Sequence, residues 1–173
     1  MIIGITGTMA AGKTTVAKIL EEHGFRHLTY SDILRQAARK RGIEPTRQHL
    51  QQLGTALKEE HGPGVLSKLL LAHHQGDLVA DGIRTVPEIE ELKRHGAVIW
   101  AVVASQETRF ARLKSRNRKG DPATLDAFKD LDELENSGAT SGQDINACIK
   151  RADRVIDNDG SLEDLHFRVE TLL

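Results

Sequence analysis

One cysteine, Cys148, stands among 173 residues, so no internal disulfide can form. That suits a reducing compartment. An excess of one charge is also missing: 24 basic side chains face 25 acidic ones, for a net charge of −1. No global basic surplus points to nucleic acid, so any anion must be held by locally placed residues. Long apolar runs are missing too. The longest, Ala97–Ala104, is too short to span a bilayer. The start of the chain lacks the basic segment and cleavage site of a secretory signal, giving the expectation of a cytoplasmic protein without a membrane partner. No internal repeat, low-complexity segment or dividing linker is visible, and residues 1–173 read as one domain. At 39% hydrophobic and 28% charged residues, the composition is that of an ordinary globular chain with enough length for a core.

What is present alternates. Met1–Thr6 is an apolar strand that runs into a glycine-rich loop. Lys13–His23 carries Val16, Ala17, Ile19 and Leu20 on one side of a helix that Gly24 stops. Phe25–Thr29 is a second strand, and Ser31 is the expected cap of a helix running to Arg41. Helices follow from near Thr46, with Leu50, Leu53 and Leu57 at helical spacing, and over Val65–His74. Leu78–Ala80 is a brief strand ending at Asp81, and Pro87 sits in the first turn of the next helix. Ala97–Ala104, apolar on both faces, is the central strand of a parallel sheet. Ser105 caps a helix that ends in the basic stretch Arg112–Lys119. Leu125–Glu135 is a charged helix, Asn136–Gln143 a Gly/Ser/Thr-rich loop, Ile145–Arg151 a helix, Arg154–Asp157 a strand and Ser161–Leu173 a terminal helix. Strand–helix alternation predicts an α/β layered domain on a parallel sheet.

The strongest motif is Gly7-Thr8-Met9-Ala10-Ala11-Gly12-Lys13-Thr14, which fits G-x-x-x-x-G-K-[ST] between a strand and a helix. A triphosphate must be surrounded by donors at short range. Small residues let the backbone curl so that N–H groups point inward, and the helix that begins there adds its positive end. Lys13 supplies an ammonium to the β- and γ-phosphates, the Thr14 hydroxyl suits Mg²⁺, and Thr15 continues the nucleotide-binding turn. ATP and Mg²⁺ are therefore the expected cofactors. Asp81, an acid at the end of a strand, fits the carboxylate such enzymes place near the metal or its water shell.

These residues carry a resemblance. Gly4-Ile5-Thr6-Gly7, Tyr30-Ser31-Asp32-Ile33-Leu34-Arg35, Arg41-Gly42-Ile43-Glu44-Pro45-Thr46, Asp81-Gly82-Ile83-Arg84, Thr108-Arg109-Phe110-Ala111-Arg112-Leu113 and Asn158-Asp159-Gly160-Ser161-Leu162 together make the chain resemble the P-loop nucleoside monophosphate kinases over essentially its whole length. It is most similar to a largely archaeal branch related to adenylate kinase and dephospho-coenzyme A kinase. The resemblance implies a three-layer α/β/α P-loop NTP hydrolase fold with a five-stranded parallel sheet, acceptor-binding helices over about 31–75 and a short helical lid over about 112–143. It also implies roles: Arg35 and Asp32 on the acceptor, Arg84 between acceptor and donor phosphates, and Arg112 and Arg116 as lid cations. A second lid pair matches Arg118 and Lys129, where lysine replaces the usual arginine and loses the bidentate fork. The loop around Asn158–Gly160 corresponds to one that packs beside the nucleotide base.

Three functions fit. One is transfer of the γ-phosphoryl of ATP to a (deoxy)nucleoside monophosphate, which needs no general base because the acceptor is already an anion. The second is transfer to a metabolite hydroxyl, as in dephospho-coenzyme A phosphorylation, for which Asp32 is the candidate base. The third is a nucleotide-driven ATPase or switch, although no Asn-Lys-x-Asp guanine-reading motif is present. A small phosphate-bearing acceptor is the expected partner, and the chain is expected to be a monomer or homodimer. The eight histidines lack metal spacing and read as surface residues. Cys148 and Trp100 read as packing, and Arg109 as a helix-surface ion pair.

Overall fold

A computed structural model describes residues 1–73, 75–116, 121–137 and 143–173. β1 (Ile2–Gly7) lies at the middle of a five-stranded, all-parallel sheet of order β2-β3-β1-β4-β5. The other strands are β2 (Arg26–Thr29), β3 (Leu78–Asp81), β4 (Val98–Val103) and β5 (Arg154–Asp157). The three inner strands are apolar on both faces because helices cover both. On one face α1 (Lys13–Glu22) and α9 (Leu162–Leu172) close over Ile3, Ile5, Val79, Trp100 and Val102. On the other, α2 (Tyr30–Lys40), α4 (Val65–Ala72), α5 (Val86–Arg94) and α8 (Ile145–Lys150) cover Leu28, Leu78, Ala80 and Ile99. Fully burying each such branched side chain contributes about 1.5–3 kcal/mol. The three-layer expectation is met.

α3 (Arg47–His61) stacks on α2 and α4 through Leu53 and Leu57, so its leucine stripe is core. α6 (Gln106–Arg116) and α7 (Leu125–Asn136) pack together, and α7 also meets α8. One boundary moves. The cap of α2 is Thr29, whose Oγ1 accepts from the Asp32 N–H at 3.0 Å while its hydroxyl donates to the Asp32 carboxylate at 2.7 Å. Ser31 already lies inside the helix. Thr29 wins because it keeps extended backbone as the last residue of β2, which is what a cap needs. Trp100 and Cys148 are buried as expected, and burial pushes the Cys148 thiol up to about 12. Among the described residues no helix is long and apolar enough to cross a membrane.

Candidate active site

The turn after β1 is shaped by steric necessity. Gly12 has φ 104°, and a Cβ there would lie 2.3 Å from Asn158 Nδ2. Asn158 cannot yield: it is buried, its Nδ2 donates to Ala11 O at 2.8 Å, and its own N–H donates to Val103 O at 2.8 Å. Only glycine fits. Gly12→Ala is therefore expected to cost about 1–3 kcal/mol of stability, and to weaken nucleotide binding as well. A thermal melt with a nucleotide titration checks this, and a variant matching the parent in both contradicts the steric account. Ala10 also takes positive φ, at 60°, a conformation that curls the loop inward.

The resulting cradle has donors without partners. Among the described residues no backbone carbonyl outside α1 accepts from the N–H groups of Lys13 and Thr14, at the start of the helix, whereas Thr15 and Val16 both donate to Gly12 O. Thr8 Oγ1 is buried with no hydrogen-bond partner among the described residues. Lys13 Nζ donates to the loop's own carbonyls, Gly7 O at 2.9 Å and Thr8 O at 2.8 Å. Burial lowers its pKa to about 8, with Arg84 adding repulsion and Asp81 opposing both. An orphaned hydroxyl, bare helix-end amides and an ammonium held by two neutral carbonyls are the donor set a polyphosphate completes. Thr14 lines the same cleft.

Asp81 ends β3 in register with Ile5 and Thr29 and is buried. The chain then turns, with the Gly82 and Ile83 N–H groups both donating to Ile5 O. Arg84 follows. Its backbone N–H donates to Glu88 Oε2 at 3.0 Å, and its guanidinium reaches Gln143 Oε1 at 3.0 Å. Buried Glu88 also caps α5 at the Thr85 N–H and pairs with Lys58 of α3 at 3.0 Å. Thr14 and Asp81 could hold a divalent ion with waters. Among the described residues no group of three or more His, Cys, Asp or Glu side chains is arranged to hold a metal ion, and Mg²⁺ in general keeps most of its water shell.

A cleft of about 730 Å³ opens over this turn. Its lining brings together Lys13, Arg47, Arg84, Arg112 and Arg116, against Asp121 and Glu135. Arg112 donates to Asn158 O at 2.8 Å and Ala11 O at 3.4 Å. Arg116 grips Asp121 bidentately at 2.8 and 2.9 Å. Asp32 and Arg35 are not part of this lining. They pair with each other at 2.8 Å on α2, and the Thr29 hydroxyl, with Arg35, holds the Asp32 carboxyl below its usual range. Arg118 lies outside the described residues, as do 138–142 of the expected loop. Lys129 is exposed on α7.

Three residues depart from the sequence reading. Arg47 lines the cleft from the first turn of α3, a position no local pattern marks. Arg109 is not a surface ion pair. It is 3% exposed, bonds both oxygens of Asp132 at 2.5 and 2.6 Å, donates to Ala104 O and Met9 O, and lies 5.2 Å over the Phe128 ring. Burial opposes ionisation of Asp132, yet Arg109 and Gln106 hold its carboxyl below the usual range. His27 is not a surface residue either. Its ring is enclosed between Asp81 and Glu21, and the Asp81 hydrogen bond raises its pKa above the ordinary histidine value.

Residues 3–137 match the AAA domain family. The UPF0200 protein of Hyperthermus butylicus is 35% identical over 100% of this chain and 93% of its own length. The chain belongs to this family. A second UPF0200 protein, from Sulfurisphaera tokodaii, is 36% identical over 99% of the chain and 95% of its own. Among solved structures, TT1252 from Thermus thermophilus superposes with TM-score 0.63 at 26% identity, covering 99% of this chain and 95% of that one. Shikimate kinase from Acinetobacter baumannii, in complex with shikimate, gives TM-score 0.60 at 22% identity over 99% and 91%. At that identity the likeness establishes the fold, that of the P-loop kinases. The kinship with an archaeal branch of P-loop proteins, read from the motifs, therefore holds.

Proposed function

We propose that the chain is an ATP- and Mg²⁺-dependent kinase that transfers the γ-phosphoryl to a phosphate-bearing acceptor, a nucleoside monophosphate. The observation that carries this is the convergence of five cations from four separate elements on one cleft above the loop. One triphosphate, partly neutralised by a metal, does not need so many. Two phosphorylated substrates do.

Lys13 and the loop amides bind the donor phosphates. Arg84, held at the turn after Asp81 by Glu88 and lining the cleft, bridges donor and acceptor phosphates in this reading. Arg47 meets the acceptor from α3, and Arg112 and Arg116 approach from the lid. Bound Mg²⁺, on Thr14 and Asp81 through water, would supply charge neutralisation. An acceptor phosphate oxygen attacks the γ-phosphorus, a new P–O bond forms, the bond to the bridging oxygen breaks, and ADP leaves with the electron pair. No proton needs to be removed, so no base is demanded. The residues' work is in-line orientation and exclusion of water.

A hydroxyl acceptor is less well supported. Its candidate base, Asp32, is tied to Thr29 and Arg35 and kept ionised below the usual range, which makes it a weak proton acceptor. The test is coupled ADP release across a panel of monophosphates, with Asp32→Asn alongside. Stimulation by at least one monophosphate, with Asp32→Asn nearly unimpaired, is expected. Silence across the panel overturns the proposal.

A further inference from the structure

Asp81 is the acid assigned above to the metal, and this inference rests on that assignment. Among the described residues, His27 is the one side chain hydrogen-bonded to Asp81. His27 Nε2 lies 3.2 Å from Asp81 Oδ2, and on the other side of the ring Nδ1 lies 3.6 Å from Glu21 Oε2. The His27 and Asp81 side chains are 13% and 9% exposed, while that of Glu21 is 46% exposed. Three elements supply the three residues: α1, β2 and β3. The register explains why they meet. Thr29 pairs with Asp81, so His27, two residues earlier on β2, projects from the same face diagonally beneath it. Glu21, in the last turn of α1, covers that face from above.

An imidazole with a partner on each nitrogen cannot rotate without losing one of them. A carboxylate bonded through one oxygen is likewise limited in its torsion, with its second oxygen left for other ligands. We infer that His27 is a positioning residue for Asp81. The Glu21–His27 pair fixes the carboxylate so that the oxygen away from His27 faces the metal's water shell at the loop. The same logic governs metal sites generally, where partners behind the ligands orient them and their removal typically costs about 10–100-fold in metal affinity. The β2 histidine therefore belongs to the phosphate site through Asp81.

The experiment measures ATP affinity by calorimetry with excess Mg²⁺ and again with EDTA, on the full chain. His27→Ala should lower MgATP affinity by about tenfold, while affinity for metal-free ATP stays close to that of the parent. His27→Gln, which keeps an amide donor toward Asp81, should recover most of the loss. Glu21→Gln, altered only at the outer partner, should move MgATP affinity in the same direction by less. A thermal melt on each variant guards against misfolding, and the glutamine variants keep the test open if alanine is not tolerated. If the parent gains affinity from Mg²⁺ and His27→Ala gains it equally, the positioning role is overturned while Asp81 keeps its own. The role is equally overturned if both affinities fall together. If the parent binds ATP equally with and without Mg²⁺, the metal assignment of Asp81 fails first and takes this inference with it.

Discussion

Lys13→Ala should abolish high-affinity MgATP binding without a matching fall in melting temperature. Removing one partner from a desolvated charge contact typically costs about 2–5 kcal/mol, or about thirty- to several-thousandfold in affinity. On the proposed assignment the ammonium serves more than one phosphate. The same ammonium contributes little to the fold itself, because its burial pulls its pKa down to about 8 from the ordinary lysine value of 10.5. A pKa depressed in the folded state means that the charged form is disfavoured there. Its cost applies below that value and is relieved as pH rises through it. Phosphate oxygens reverse the preference and favour the ammonium. Nucleotide binding at about pH 9 should therefore take up a proton, approaching one per site, and this uptake should vanish at about pH 6.5, where Lys13 is charged in both states. Calorimetry in buffers of differing ionisation enthalpy reads the uptake directly. Equal heats in all buffers at the higher pH, or a Lys13→Ala protein that binds MgATP as the parent does, would contradict the assignment of the loop.

The second large effect falls on stability. Asp132→Ala strands the Arg109 guanidinium, which is 3% exposed and bound to both carboxylate oxygens. Breaking a buried pair from one side costs about 3–5 kcal/mol because an uncompensated charge remains. The loss should appear as a much lower midpoint in urea. Replacing both partners with apolar residues of similar size, Arg109→Met with Asp132→Leu, should recover most of it, since no charge is then left without a counterpart. If the double variant is as unstable as Asp132→Ala, the cause lies in packing against Phe128 rather than in charge. Acid should act in the same direction as the single substitution. The Asp132 carboxyl is held below its usual value, so the pair's contribution is present above that usual value and is lost as pH falls through the depressed one. The double variant should lack this component of acid sensitivity.

The layers and strands are legible in the sequence because each inner strand is a short apolar run, β1 closed by Gly7, β3 by Asp81 and β4 by Ala104-Ser105, and the covering helices repeat apolar residues at helical spacing. Gly7–Thr14 was legible because the constraints on a phosphate loop are local: a tight turn, small residues and a helix start. The misreadings share a different cause. His27 reads as a surface residue because its partner lies 54 positions away, and only the parallel register of β2 on β3 joins them. Arg109 looks like one more cation on a basic helix until α7 folds over it and brings Asp132, 23 positions on. Arg47 lines the cleft because α3 turns back across α2 and α4, a tertiary fact with no trace in neighbouring residues. Ser31 reads as a cap because a hydroxyl at the start of a helix fits the pattern, but the last residue of β2 is also the boundary of α2, and Thr29 takes the role.

Two cations at the loop already have partners within the protein. Lys13 leans on Gly7 and Thr8 carbonyls, and Arg112 on those of Ala11 and Asn158. The arrival of a polyanion is thus an exchange of companions rather than the rescue of bare charge, and the net attraction is the difference between two satisfied states. On the proposed function the same holds in reverse: when a nucleotide departs, Lys13 and Arg112 each have a neutral oxygen within reach to return to. Such a loop gives up some tightness of grip in return for easy release, the balance that the proposed phosphoryl transfer requires.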